Sequence, residues 1–96
     1  MILHTIKSSP LSTFSLQDCL KHLSEHDCVL LMNDAVIAVS ASLELQPTLL
    51  QLHESKRLFI LQDDLQARGL HADFGQIIDY AGFVDLTIKC QSQLAW

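Results

Sequence analysis

A single cysteine lies about one turn into the helix predicted for the stretch SLQDCLKHL, Ser15 to Leu23. The thiolate of Cys19 would be a nucleophile, and a position near the positive end of a helix stabilises a thiolate. The adjacent Asp18 opposes that effect, and free cysteine also packs well as a small apolar side chain among leucines. Two interpretations stay open on the residues alone: Cys19 is a core residue, or it is a reactive thiol.

Three cysteines, an odd number with no Cys-x-x-Cys pair, fit neither a disulfide framework nor a four-cysteine zinc site. We therefore expect free thiols. Cys28 falls at the start of a predicted buried strand and Cys90 late in a predicted helix, where the helix dipole disfavours a thiolate. Both are predicted to be structural.

A metal site is a weaker hypothesis for the same segment. Cys19, His22 and His26 fall on overlapping faces at helical spacing, and one thiolate with two imidazoles suits zinc, but no fourth ligand is specified. Surface solvation of both histidines is the favoured interpretation, so no metal is predicted. No sequence spacing pairs His4, His53 or His71 with another functional group.

Polar residues follow three of the predicted strands. They are Asn33 and Asp34, Gln62 to Asp64, and Asp79 and Tyr80. Sites in parallel sheets lie beyond such strand ends, but Asn and Asp at these positions are also expected to cap the following helices, which is the favoured interpretation. No glycine-rich phosphate loop follows any strand, so no cofactor is predicted.

The elements that must position these residues alternate along the chain. Short apolar or β-branched runs predict strands at Ile2–Ile6, Cys28–Met32, Leu58–Leu61 and around Ile77–Ile78, with a fifth, edge strand near QLAW. Helices are predicted for Leu16 to Glu25, Ala35 to Val39, the leucine pattern Leu45, Leu49, Leu50 and Leu52 around Pro47, QDDLQARG, and YAGFVDLTIKC. This alternation predicts one three-layer α/β domain over residues 1–96, with a mainly parallel sheet of four or five strands and helices on both faces.

Two helices carry more detailed predictions. Ser15 has the type and spacing of an N-cap, with Asp18 three residues on, and Phe14 is placed to staple against Cys19. In the last helix Phe83, Val84, Thr87 and Ile88 are predicted to share one face.

Charge and composition exclude several classes of protein. The net charge is −5 and the basic residues are scattered, which disfavours direct binding of nucleic acid. No apolar run is long enough to span a bilayer, and the first residues, MILHTIKSSP, lack the pattern of a secretory signal. We therefore expect a cytoplasmic protein.

Three segments, LHTIKSSP, QDDLQARGL and DYAGFVDLTIKC with the final AW, together resemble the TusB/DsrH family. The similarity runs over essentially the whole chain in the same order. It implies the DsrE-like fold and a place in a cytoplasmic sulfur-relay complex, a heterohexamer with two copies each of three related subunits. The implied partners are TusC/DsrF-like and TusD/DsrE-like subunits and a small persulfide-carrier protein, and the chain alone is also expected to be capable of forming a homo-oligomer.

Within that family two branches stay open. In the tRNA branch the complex passes persulfide sulfur toward 2-thiolation of the wobble uridine, and the main sulfur-carrying cysteine belongs to the TusD/DsrE-like subunit, which implies an accessory role here. Some DsrH members of the sulfur-oxidation branch have a cysteine in a context similar to SLQDCLKH, which implies a persulfide-carrying, catalytic role for Cys19. Our leading prediction is the accessory tRNA-branch subunit. A stand-alone enzyme with Cys19 as nucleophile ranks lowest, because no histidine is positioned by sequence as its base.

Overall fold

A parallel five-stranded sheet organises the computed structural model, which describes residues 1–40 and 46–96. In these residues the strands are β1 (Ile2–Ile6), β2 (Cys28–Leu31), β3 (Leu58–Leu61), β4 (Gln76–Ile78) and β5 (Ser92–Ala95). Their order is β4-β3-β2-β1-β5, and every neighbouring pair is parallel. The predicted strands, including the fifth at the edge, are confirmed.

Helical segments connect the strands. They are α1 (Ser15–Lys21), a 3₁₀ helix (Asn33–Val39), α2 (Gln46–Glu54), α3 (Gln62–Ala67) and α4 (Tyr80–Lys89). Each predicted helix therefore has a counterpart, although Leu45 lies outside the described residues. Gly69 ends the α3 segment with φ of 61°, a left-handed conformation that glycine adopts at little cost.

The sheet is covered on both faces, which confirms the three-layer α/β class. One face packs against α1, the 3₁₀ helix, α2 and α3, through a core that includes Ile6, Leu16, Val36, Leu49 and Leu65. On the other face, α4 packs through Leu86 and Phe83. All four residues of β2 are buried, as expected for a continuous apolar strand covered on both sides.

Helix α1 begins and ends differently from the prediction. Phe14 occupies the N-cap position, no side chain caps the helix, and Phe14 is 73% exposed, so the Ser15 capping box and the Phe14 staple are wrong. The helix ends at Lys21 rather than Glu25. The ring Nδ1–H of His22 donates a hydrogen bond to the carbonyl oxygen of Asp18 at 2.7 Å. The backbone N–H of His22 donates to the carbonyl oxygen of Cys19 instead. The histidine side chain thus replaces the next helical hydrogen bond.

The face of α4 predicted from periodicity is only partly the side that meets the sheet, where Phe83 packs beside Leu86. Leu86 is its buried residue, whereas Val84 is 40% and Ile88 77% exposed. Because α4 carries apolar residues on nearly all sides, periodicity alone did not identify the side that meets the sheet. Its start is as expected, since the Asp79 carboxylate accepts a hydrogen bond from the Gly82 N–H at 2.9 Å.

Candidate functional site

Cys19 lies inside the core between α1 and the sheet. Its side chain is fully buried in the cluster that contains Ile6 and Leu16. Burial, together with the negative charge of Asp27, raises the pKa of the thiol from 9.0 to about 12. The group is therefore protonated at neutral pH, which suppresses both nucleophilic attack and metal binding.

The histidines predicted near Cys19 are not assembled into a site. The ring of His22 is engaged with the Asp18 carbonyl, and His26 lies beyond the end of α1, so the assumed helical spacing fails. Within residues 1–40 and 46–96 no group of three histidine, cysteine or acidic side chains is placed to hold a metal ion.

A buried polar network that sequence reasoning missed lies on the same face of the sheet. His4 on β1 and Asp27 before β2 are 2% and 3% exposed, and their Nε2 and Oδ2 atoms are 3.0 Å apart. The Asp27 carboxylate also accepts hydrogen bonds from the backbone N–H groups of Ile2 (3.0 Å) and Ser24 (3.1 Å). Burial acts to raise the pKa of Asp27, but these three hydrogen bonds outweigh it and lower the pKa.

Trp96 completes this network. Its indole Nε1–H donates to Nδ1 of His4 at 3.0 Å, and its backbone N–H donates to the carbonyl of Thr5 at 3.0 Å. An indole only donates, so Nδ1 must accept and the proton must sit on Nε2, facing Asp27. The Trp96 ring also lies 5.8 Å from the ring of His22 on α1. The network therefore fastens the residue after β5 to both β1 and α1, a structural role rather than a catalytic one.

Trp96→Phe should remove that hydrogen bond while keeping most of the aromatic packing. We expect it to lower the free energy of unfolding by about 1–2 kcal/mol, because the buried Nδ1 of His4 loses its donor. Urea unfolding followed by circular dichroism measures this, since the variant has lost the chain's single tryptophan. Phe83→Leu, on the other face of the sheet, is a control for aromatic packing without a polar partner. Unchanged stability in Trp96→Phe would show that the indole hydrogen bond contributes nothing.

The carboxyl ends of β2 and β3 meet in an ion-paired cluster. Asp64 accepts from the Asn33 backbone N–H at 2.8 Å, and the Arg68 guanidinium donates to Asp34 at 2.9 Å and approaches Asp64 at 3.5 Å. Helix capping, the favoured interpretation for the strand-end residues, is thus confirmed only for Asp79. The cluster joins the start of the 3₁₀ helix to α3, with one guanidinium shared between two carboxylates.

A cavity of about 150 Å³ lies between α4 and the strands β3 and β4. None of the cysteines lines it. The polar groups that line it are the amide of Gln76, the carboxylate of Asp85 and the ammonium of Lys89. All three residues are exposed. Its lining residues are Phe59, Gln76, Ile78, Gly82, Asp85, Leu86 and Lys89.

The class defined by these features is a small three-layer α/β domain with a buried, protonated cysteine. The profile of the family described as DsrH-like protein matches residues 8–93. Proteins named Protein TusB from Yersinia enterocolitica, Yersinia pestis and Yersinia pseudotuberculosis are each 40% identical over 98 residues, covering 99% of this chain and 100% of each relative. The chain therefore belongs to the TusB/DsrH family, as its sequence motifs indicate.

In residues 1–40 and 46–96, every helix is too short or too polar to cross a membrane.

Proposed function

We propose that this chain is the TusB-type subunit of a sulfur relay that passes persulfide sulfur toward 2-thiolation of the wobble uridine of tRNA. The observation that carries this function is the 40% identity to TusB proteins over the whole length of both chains. The sulfur-oxidation alternative is not favoured by these relatives. The same assignment supports a cytoplasmic location.

Its role in the relay is accessory, with the sulfur carried mainly by another subunit. A sulfur-accepting cysteine needs a reachable thiolate, and Cys19 is both buried and protonated. The neighbouring His22 ring bonds a backbone carbonyl, and Asp27 opposes the negative charge of a thiolate. These features also weigh against a stand-alone enzyme with Cys19 as its nucleophile.

The partners are related TusC-like and TusD-like subunits, with a persulfide-carrier protein upstream. Family membership supports this assembly, and so does the outward side of α4, where Tyr80, Val84 and Ile88 are exposed at four-residue intervals. Contiguous exposed apolar side chains of this kind typify contact surfaces between proteins. Trp96 packs on the chain's own core.

Co-expression with TusC-like and TusD-like subunits should give one stable complex, measured by size-exclusion chromatography with light scattering. Ile88→Glu should weaken it at least tenfold, because a charge would be buried at the contact, while the 77% exposure of Ile88 leaves the fold intact. Leu11→Glu, at a 68% exposed site in another part of the chain, is the matched control.

Separate species in the wild-type sample would contradict the assembly. If the wild-type complex forms and Ile88→Glu weakens it no more than Leu11→Glu does, the proposed contact through α4 is contradicted. The assembly itself is not. A homo-oligomer of the isolated chain that persists when the partners are present would also contradict the proposed assembly.

A further inference from the structure

The side chain of Trp96 is held by a histidine that must be neutral to hold it. The indole Nε1–H donates to Nδ1 of His4 at 3.0 Å, while Nε2 of His4 lies 3.0 Å from Oδ2 of Asp27. A protonated imidazole carries hydrogen on both nitrogens and accepts no hydrogen bond, and an indole N–H only donates. Protonation of His4 therefore sets two N–H groups against each other at Nδ1.

The other side of the same ring favours the protonated form. Burial acts against ionisation of Asp27, but its hydrogen bonds outweigh this effect and lower its pKa. The carboxylate beside Nε2 is therefore ionised when His4 takes up a proton, and the resulting ion pair partly offsets the cost of a buried charge. The contact that protonation breaks is the bond to Trp96, and the contact with Asp27 remains.

The groups around His4 offer no competing source of charge compensation within residues 1–40 and 46–96. The ionisable neighbours on other segments are Asp27 and Arg57, which precede β2 and β3, and Cys19 and His22 on the α1 side. Arg57 is a cation and His22 becomes one in acid, while the Cys19 thiol is protonated. The residues paired with His4 in the sheet are uncharged, namely Val29 on β2 and Leu94 on β5.

We propose that His4 is a pH-sensitive switch for Trp96, in which protonation of Nδ1 breaks the indole hydrogen bond and releases the Trp96 side chain from β1 and α1. One proton passes from solvent to Nδ1, one N–H···N hydrogen bond is lost, and the freed indole N–H donates to water. The switch is carried by the donor and acceptor geometry of the His4 ring, and it is independent of the relay function.

Release changes one edge of the sheet. Trp96 packs against the core cluster on the α1 side, and Leu94, two residues earlier on the same face of β5, is 46% exposed. Departure of the indole therefore joins Leu94 to newly uncovered apolar surface. The backbone N–H of Trp96 keeps its bond to the Thr5 carbonyl, so the strand pairing of β5 survives.

The test follows the single indole N–H of the folded wild-type chain by NMR from about pH 8 to about pH 5, the range in which histidine changes charge. The indole signal should move toward the position of a solvent-exposed tryptophan, with the same midpoint as the His4 ring signals. Its protection from exchange, relative to free tryptophan at the same pH, should fall about tenfold. The Gly82 N–H, which caps α4 on the other face, should not move.

Three variants assign the transition. Trp96→Phe removes the bond that favours the neutral ring, so the midpoint of the His4 titration should rise by about one pH unit. His4→Gln, whose side chain is uncharged, should abolish the indole transition. His22→Gln is the matched control, because it removes the other histidine beside Trp96, with ring centroids 5.8 Å apart, and it should retain the transition.

Several outcomes would overturn the proposal. They are an indole signal that stays in place while His4 titrates, a His4 ring that takes up no proton above about pH 5, or a transition lost in His22→Gln. Movement of the Gly82 signal together with that of Trp96 would show unfolding of the whole chain and would overturn it as well. The wild-type titration remains decisive if His4→Gln fails to fold.

Discussion

Asp27→Ala should lower the free energy of unfolding by about 3–5 kcal/mol, a large part of the stability of a small domain. The substitution leaves three donors without an acceptor: the buried Nε2–H of His4 and the partly buried backbone N–H groups of Ile2 and Ser24. Each unsatisfied buried donor costs about 1–3 kcal/mol, partly relieved where water enters. Urea unfolding monitored by circular dichroism and by Trp96 fluorescence measures the loss.

Asp63→Ala is the matched control, because Asp63 is exposed in the first turn of α3. We expect its free energy of unfolding to stay within about 0.5 kcal/mol of the wild type. Equal effects of the two substitutions would show that the buried network is not a main source of stability.

The same carboxylate makes stability depend on pH in a defined direction. The pKa of Asp27 is lowered in the folded chain, so its ionised form stabilises the fold at pH values above about 4, the ordinary range for an unfolded aspartate. That contribution is lost as the pH falls through the lowered pKa. Asp27→Asn should therefore show a shallower decline of stability with acid than the wild type.

The sheet could be predicted from the sequence because its strands are short apolar runs separated by polar turns. Cys28–Leu31 is continuous in apolar residues, and a strand covered on both faces has that pattern whatever its neighbours. Helix ends were less predictable. The end of α1 depends on the ring of His22 taking the Asp18 carbonyl from the backbone, a competition that spacing rules do not include.

The polar network could not be found from spacing, because its members are far apart in the chain. His4 and Asp27 are brought together by the β1–β2 register, and Trp96 reaches His4 only once β5 has paired with β1. One signal was present in the sequence: His4 alternates with Ile2 and Ile6 on one face of a strand, and a polar side chain there requires a buried partner. The identity of that partner depended on the tertiary fold.

Cys19 illustrates the opposite case, in which a local rule was outweighed by packing. A cysteine near a helix N-terminus is expected to have a lowered pKa, but α1 has only seven residues and its inner face is sealed against the sheet. Burial and Asp27 raise the pKa of Cys19 instead. Sequence periodicity identified the apolar face, but not how completely it excludes water.

Alkylation of Cys19 in the folded chain should consequently be at least about a thousandfold slower than in the unfolded chain near neutral pH. A thiol pKa raised from 9.0 to about 12 leaves about one thousandth of the ordinary thiolate fraction, and burial slows the reagent further. Mass spectrometry of samples alkylated with and without urea measures both rates on the same cysteine. Sulfur loading follows the same requirement, so a persulfidated carrier should load the TusD-like subunit of the assembled complex and leave Cys19 unchanged.

Cys28 and Cys90 are internal controls for the alkylation rate of Cys19, because all three thiols meet the same reagent in the same folded chain. Both are slightly exposed, whereas Cys19 is not, so Cys19 should be the slowest of the three in the folded, reduced chain. Preferential alkylation of Cys19 would mean that α1 opens readily from the sheet. Addition of a sulfur atom to Cys19 in the complex, lost in Cys19→Ser while the subunits stay assembled, would make it a relay thiol and contradict the accessory role.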